Sequence, residues 1–278
     1  MPPCGTDLLD GSALTGQTAG MGEYIDAAGL RTYYEVHGDG EPVVLLHGGL
    51  ATADSWARQV PELSRHYRVY VPERRGHGRT PDVAGPITYA AMATDTAAWL
   101  DALSLRDVRL IGWSDGGAVA ALVAISRPDL VRKLVIIGQY LSLDGEWPSS
   151  RAALDGFADD PGTRTMFENL HAPLSPDGPE HFPVVYDKMM ALWRDEPQIP
   201  LAEIAKIVAP TLIMQGDGDW VRVEHSAELA RTISDAQLAV VPGTSHALPL
   251  EKPGLVNTLL LDFLTDEQIT RMLPVGHD

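Results

Sequence analysis

A single cysteine, Cys4, stands in 278 residues, so the chain can form no internal disulfide and no cysteine-based metal site. Long apolar runs are missing too, since none approaches the roughly 18 residues that a membrane-spanning helix requires. Positive charge is scarce, with 21 Lys and Arg against 38 Asp and Glu and a formal net charge of −17. Nucleic acids and anionic membrane surfaces are held by clustered Lys and Arg, so neither is an expected partner. The one short basic group, Arg74, Arg75 and Arg79, reads as part of a structural loop. Residues 1–20 carry no Lys or Arg and no apolar core of the signal-peptide kind. They read as a disordered extension on a cytoplasmic protein.

Short apolar runs recur at 43–46, 69–71, 108–111, 134–137, 211–214 and 238–241. Runs apolar on both faces suit strands of a parallel sheet covered by helices on each side. Helical patterns fall between them at 92–103, 118–125, 225–232 and 253–264, and 33–36 adds an antiparallel strand at the start. This alternation predicts an α/β fold with a doubly wound, mostly parallel sheet. It breaks over residues 139–209, too long an interval for a plain loop. That interval has helical patterns of its own, with Phe182, Tyr186, Met189, Met190 and Trp193 recurring at i, i+4, i+7, i+8 and i+11.

The most informative residues are Gly112-Trp113-Ser114-Asp115-Gly116-Gly117, placed between an apolar run and a small-residue helical stretch. In a G-x-S-x-G turn the glycines remove side chains that would collide as the chain reverses, leaving the serine strained and exposed. An acid and a histidine are then required in turns after later strands. Gln215-Gly216-Asp217-Gly218-Asp219 and Pro242-Gly243-Thr244-Ser245-His246 supply them in that order.

With Leu45-Leu46-His47-Gly48-Gly49 and the loop from Pro72 to Thr80, these motifs resemble the α/β-hydrolase superfamily from about Gly22 to Leu264. The loop departs from the family's pattern at Glu73, where Asp is usual, and Thr80, where Ser is usual. The resemblance implies a serine nucleophile, Ser114, a base, His246, and an acid in the turn after residue 214. Counting from Gly216 in the family's pattern selects Asp219, with Asp217 as a turn residue and Asp144 as an alternative acid. Of the nine histidines, only His246 has the late position and the turn the family uses; His47 and His77 are structural in the family's loops. The family's oxyanion hole implies backbone N–H donors from Asp115 and Gly49, with Leu50 as the fallback. Asp115 beside the serine could attract an ammonium-bearing substrate, or could stabilise its helix through the macrodipole alone.

In the family an insertion at 139–209 is a helical cap, which leaves 21–138 and 210–278 as the α/β core. Trp113, Phe182, Tyr186, Met189, Met190 and Trp193 are candidates for the pocket lining, against the alternative that the aromatics only bind cap to core. The implied activity is cofactor-independent and metal-free hydrolysis of a small, largely apolar carboxylic ester, lactone or thioester through an acyl-enzyme. The same triad could instead serve carbon–carbon bond hydrolysis, amide cleavage or perhydrolysis, or be kept by a ligand sensor. A monomer or homodimer is expected.

Overall fold

The computed structural model describes residues 22–266, so the proposed N-terminal extension lies outside the described residues. Eight strands form one sheet: β1 (Gly22–Ala27), β2 (Leu30–His37), β3 (Pro42–Leu46), β4 (Arg68–Pro72), β5 (Val108–Trp113), β6 (Val131–Ile137), β7 (Thr211–Gly216) and β8 (Ala236–Val241). Their spatial order is β1-β2-β4-β3-β5-β6-β7-β8. β1, β2 and β4 pair antiparallel, and β4 through β8 run parallel. The β1–β2 hairpin turns through Ala28 and Gly29, both at positive φ, as a two-residue hairpin turn requires.

The helices are α1 (Val60–Leu63), α2 (Tyr89–Ala102), α3 (Asp115–Ser126), α4 (Pro148–Asp159), α5 (Pro161–His171), α6 (Phe182–Asp195), α7 (Leu201–Ile204), α8 (Val223–Thr232), α9 (Leu248–Glu251) and α10 (Pro253–Leu264). Alternate residues of a strand point to opposite faces, and the two cores follow that rule. Val44, Leu46, Leu110, Leu134 and Ile136 pack with α2, α3 and α8 on one face. Val43, Leu45, Ile111, Val135 and Ile137 pack with α1 and α10 on the other. Side chains such as Leu45 and Leu46 are fully buried, each contributing about 1.5–3 kcal/mol by removal from water. β8 departs from the doubly covered pattern, because it is the sheet's last strand and leaves Leu238 and Val240 partly exposed.

Between β6 and β7 the inserted segment contributes α4, α5, α6 and α7. α7 packs against α3 and α8, placing Ile204 and Ile207 in the core of the sheet's first face. α6 is tied to the loop after β4: Lys188 Nζ and His181 Nε2 reach Asp82 Oδ2 at 2.6 and 2.9 Å. Asp177 adds a carboxylate that accepts the Asp82 N–H at 2.7 Å.

Candidate active site

β5 ends at Trp113 and α3 begins at Asp115, leaving one residue, Ser114, to reverse the chain. Its φ of 55° and ψ of −129° are conformations that an L-residue adopts only under constraint. Gly112 and Gly116 make that reversal possible, since a Cβ on Gly112 would overlap the Gly116 carbonyl and one on Gly116 the Leu46 carbonyl. The Ser114 N–H is pinned to the Ile137 carbonyl at 2.8 Å. Its side chain thus stands at the carboxyl end of the sheet, beside the point where the strand order reverses, where open α/β sheets bind their ligands.

Three turns converge there. His246 Nε2 lies 3.0 Å from Ser114 Oγ, and His246 Nδ1 lies 2.9 Å from Asp219 Oδ1. The Asp219 side chain is fully buried while that of His246 is 17% exposed, so the imidazole has one face toward the pocket. Asp219 Oδ1 also accepts the Trp220 N–H at 2.6 Å. Since carboxylate oxygen only accepts, Nδ1 carries a proton and Nε2 is left to accept from the serine. Asp217 is exposed and accepts the Thr244 N–H at 3.2 Å, and Asp144 is exposed and bonded to Ser142. Neither is bonded to His246. Trp113 Nε1 donates to the His246 carbonyl at 3.0 Å, fixing the turn that carries the base.

The loop after β3 lies against this constellation. Arg74 Nη1 donates to the His47 carbonyl, and Nη2 to the Gly48 carbonyl at 3.1 Å. His47 Nδ1 also donates to the Gly48 carbonyl at 2.7 Å, while Nε2 accepts the Arg74 N–H at 3.2 Å. With the Gly48 carbonyl held toward Arg74, the trans peptide aims the Gly49 N–H the opposite way. Burial, then the Arg74 and His77 charges, hold His47 well below the ordinary imidazole range. It therefore stays neutral, as its mixed donor and acceptor role requires. A Cβ on Gly49 would overlap the Asp115 carboxylate and the Trp193 ring. Glu73, in place of the usual Asp, is fully buried and accepts the Arg79 and Ala53 N–H groups at 2.6 and 3.1 Å. Thr80 bridges the Glu73 carbonyl and the Tyr33 N–H, so both departures keep the loop bonded.

The Asp115 carboxylate is buried and receives two donors. Tyr89 Oη donates to Oδ1 at 2.8 Å, and Trp193 Nε1 spans both oxygens at 3.0 and 2.9 Å. Burial pushes its pKa up, opposed by Arg74, Trp193 and Tyr89. The side chain ties α6 to the turn after β5, with Tyr89 and Trp193 as its donors.

A cavity of about 350 Å³ opens above Ser114 and His246. Its walls include Trp113, Trp193, Phe167, Tyr140 and Trp220, with Ser149, Ser150, Ala153 and Leu154 of α4 opposite. Among the described residues no Lys or Arg lines it, whereas Asp115 and Glu146 do. Trp113 and Trp193 stand where the sequence reading put them. Phe182, Tyr186, Met189 and Met190 do not line the cavity: they are buried in the core cluster with Val185 and Leu192. The stripe along α6 faces the core for most of its length, and only its last member, Trp193 near the helix end, reaches the pocket. Trp220, Tyr140 and Glu146 were not foreseen. Trp220 adjoins Asp219 in sequence, which is the one signal that could have marked it.

Comparisons with known proteins point to hydrolases of this fold. The chain belongs to the alpha/beta hydrolase family, whose model matches residues 43–259. It is 33% identical to the 2-hydroxy-6-oxo-2,4-heptadienoate hydrolase of Pseudomonas putida over 91% of this chain and 100% of that protein. A non-heme haloperoxidase of Rhodococcus erythropolis is 32% identical over 85% of this chain and 96% of that protein. Among solved structures, a serine hydrolase involved in carbazole degradation superposes with a TM-score of 0.75 at 28% identity, over 88% of this chain and 99% of that one. Among the described residues no helix is long and apolar enough to cross a membrane.

Proposed function

We propose that this chain is a serine hydrolase cleaving a small, uncharged carboxylic ester, lactone or thioester through an acyl-enzyme, beneath a helical cap formed by residues 139–209. The observation that carries it is the bonded line from Ser114 Oγ through His246 to Asp219 at the floor of the cavity. In this reading His246 Nε2 takes the Ser114 proton as Oγ attacks the carbonyl carbon, and Asp219 holds the imidazolium. The oxygen that gains negative charge meets the N–H groups of Gly49 and Asp115, the second at the positive end of α3. Collapse expels the alcohol or thiol with the proton from His246. A water, deprotonated by the same base, then releases the acid and restores the serine.

An uncharged substrate is favoured by the charge of the pocket wall. A dienoate of the kind in a relative's name would bring a carboxylate against Asp115 and against Glu146, the latter paired with Arg151 at 3.6 Å, with no lining cation among the described residues. A buried carboxylate left unpaired carries a heavy desolvation cost. Carbon–carbon bond hydrolysis is the second reading, supported by 33% identity over the whole of that relative. Parallel assays of p-nitrophenyl esters of rising chain length and a 2-hydroxy-6-oxo-dienoate separate the two. The ester series is expected to give the higher kcat/KM, and a preference for the dienoate would overturn this choice.

A further inference from the structure

Trp220 is 43% exposed, and its ring lies on the His246 imidazole. The two rings are stacked, with centroids 4.4 Å apart and planes 5° from parallel. The backbone is fixed independently of the ring. The Trp220 N–H donates to the same Asp219 oxygen that His246 uses, the Trp220 carbonyl accepts the Trp147 N–H at 3.1 Å, and Val221 bridges Glu146. The aromatic face is therefore presented to the imidazole by an anchored turn, not by core packing.

We propose that Trp220 is a positioning residue for the base, a step that rests on the serine-hydrolase reading above. Its ring does two things. It fixes the plane of the imidazole, so that Nδ1 and Nε2 stay in line with Asp219 and Ser114. Its electron-rich face also attracts the imidazolium that forms when His246 takes the serine proton. The other charged groups around the ring are Asp219 on Nδ1, Asp115 at the start of α3, Glu146 across the cavity and Glu251 of α9, the last engaged by Ser245. All four stay in place when Trp220 alone is changed.

The test is the rate of fluorophosphonate labelling, with steady-state kinetics on a short ester, for Trp220→Leu and Trp220→Phe. Leucine keeps an apolar cover without a ring face, and phenylalanine keeps the face. Trp220→Leu is expected to label about 2- to 30-fold more slowly, the range a cation–π contact supplies. The loss should appear in kcat with KM unchanged, Trp220→Phe should stay close to the unsubstituted protein, and melting temperatures should hold in both. A Trp220→Leu variant matching the unsubstituted protein, equal losses in both variants, or a change in KM alone would overturn the inference. Absence of labelling in the unsubstituted protein would instead overturn the serine-hydrolase reading, and the inference with it.

Discussion

Asp219 and Asp217 share one turn, yet their surroundings give them different work. Asp219 is buried under the imidazole, while Asp217 is exposed and closes the turn through the Thr244 N–H. Asp219→Asn should lower kcat by about 10⁴, the scale at which a wrong histidine tautomer costs a triad, and Asp217→Asn should change it little. Comparable losses in both would refute the assignment. Asp115 is a second case, because Tyr89 and Trp193 already occupy its carboxylate. Asp115→Ala would leave the buried Tyr89 hydroxyl unpaired, at about 1–3 kcal/mol, along with the half-buried Trp193 N–H. A lowered melting temperature is expected, and the unsubstituted protein should show no preference for aminoacyl esters over neutral ones. A clear preference for ammonium-bearing esters would contradict this account of Asp115.

At the scale of elements, α6 and α5 divide packing from selectivity. Met189 lies in the core and Phe167 in the cavity wall. Met189→Ala should cost about 2–5 kcal/mol of stability and leave the ranking of ester substrates unchanged. Phe167→Ala should reorder that ranking by about 10- to 200-fold. The tie between α6 and the loop after β4 is sensitive to acid. Burial would raise the Asp82 pKa, but hydrogen bonds from Lys188 and His181 outweigh it and hold the carboxyl below its usual range. A lowered folded-state value means that the stabilisation is present above the unfolded value of about 3.9 and is lost as pH falls through the folded one. Protection factors over residues 177–195, taken relative to the intrinsic exchange rate at each pH, should therefore fall below about pH 4, and Asp82→Asn should show lower protection already at neutral pH. Protection that is unchanged in acid would contradict the latch.

Elements were legible where their physics is local. The apolar runs mark β3 to β8 to within a few residues, and α10 begins and ends as its pattern predicts. α2 starts three residues earlier than its apolar pattern because Thr88 caps it, accepting the Ala91 N–H at 3.0 Å. β1 left no apolar run to read, since five of its six residues are not buried. The motif-bearing turns placed Ser114, Asp219 and His246 together, for each stands one turn beyond a recognisable strand. The pocket wall was less legible, because a helical stripe does not say which of its turns faces core and which faces cavity.

The whole molecule carries a formal charge of −17, and self-repulsion of that size weakens the compact state. Raising ionic strength from about 0.01 to 0.15 M shortens the screening length from about 30 to 8 Å, so the melting temperature should rise over that range. A fall would mean that the surface ion pairs, such as those of Arg127 with Asp101 and Asp129, outweigh the net repulsion.

The central claim is that the strained turn between β5 and α3 exists to present a nucleophile. Fluorophosphonate treatment followed by peptide mass analysis, on the unsubstituted protein and Ser114→Ala, tests it most directly. The predicted result is a single phosphonyl adduct on the peptide bearing Ser114, absent from Ser114→Ala, whose ester turnover falls by about 10⁴ to 10⁶. An adduct on another residue, or undiminished turnover in Ser114→Ala, would contradict the account.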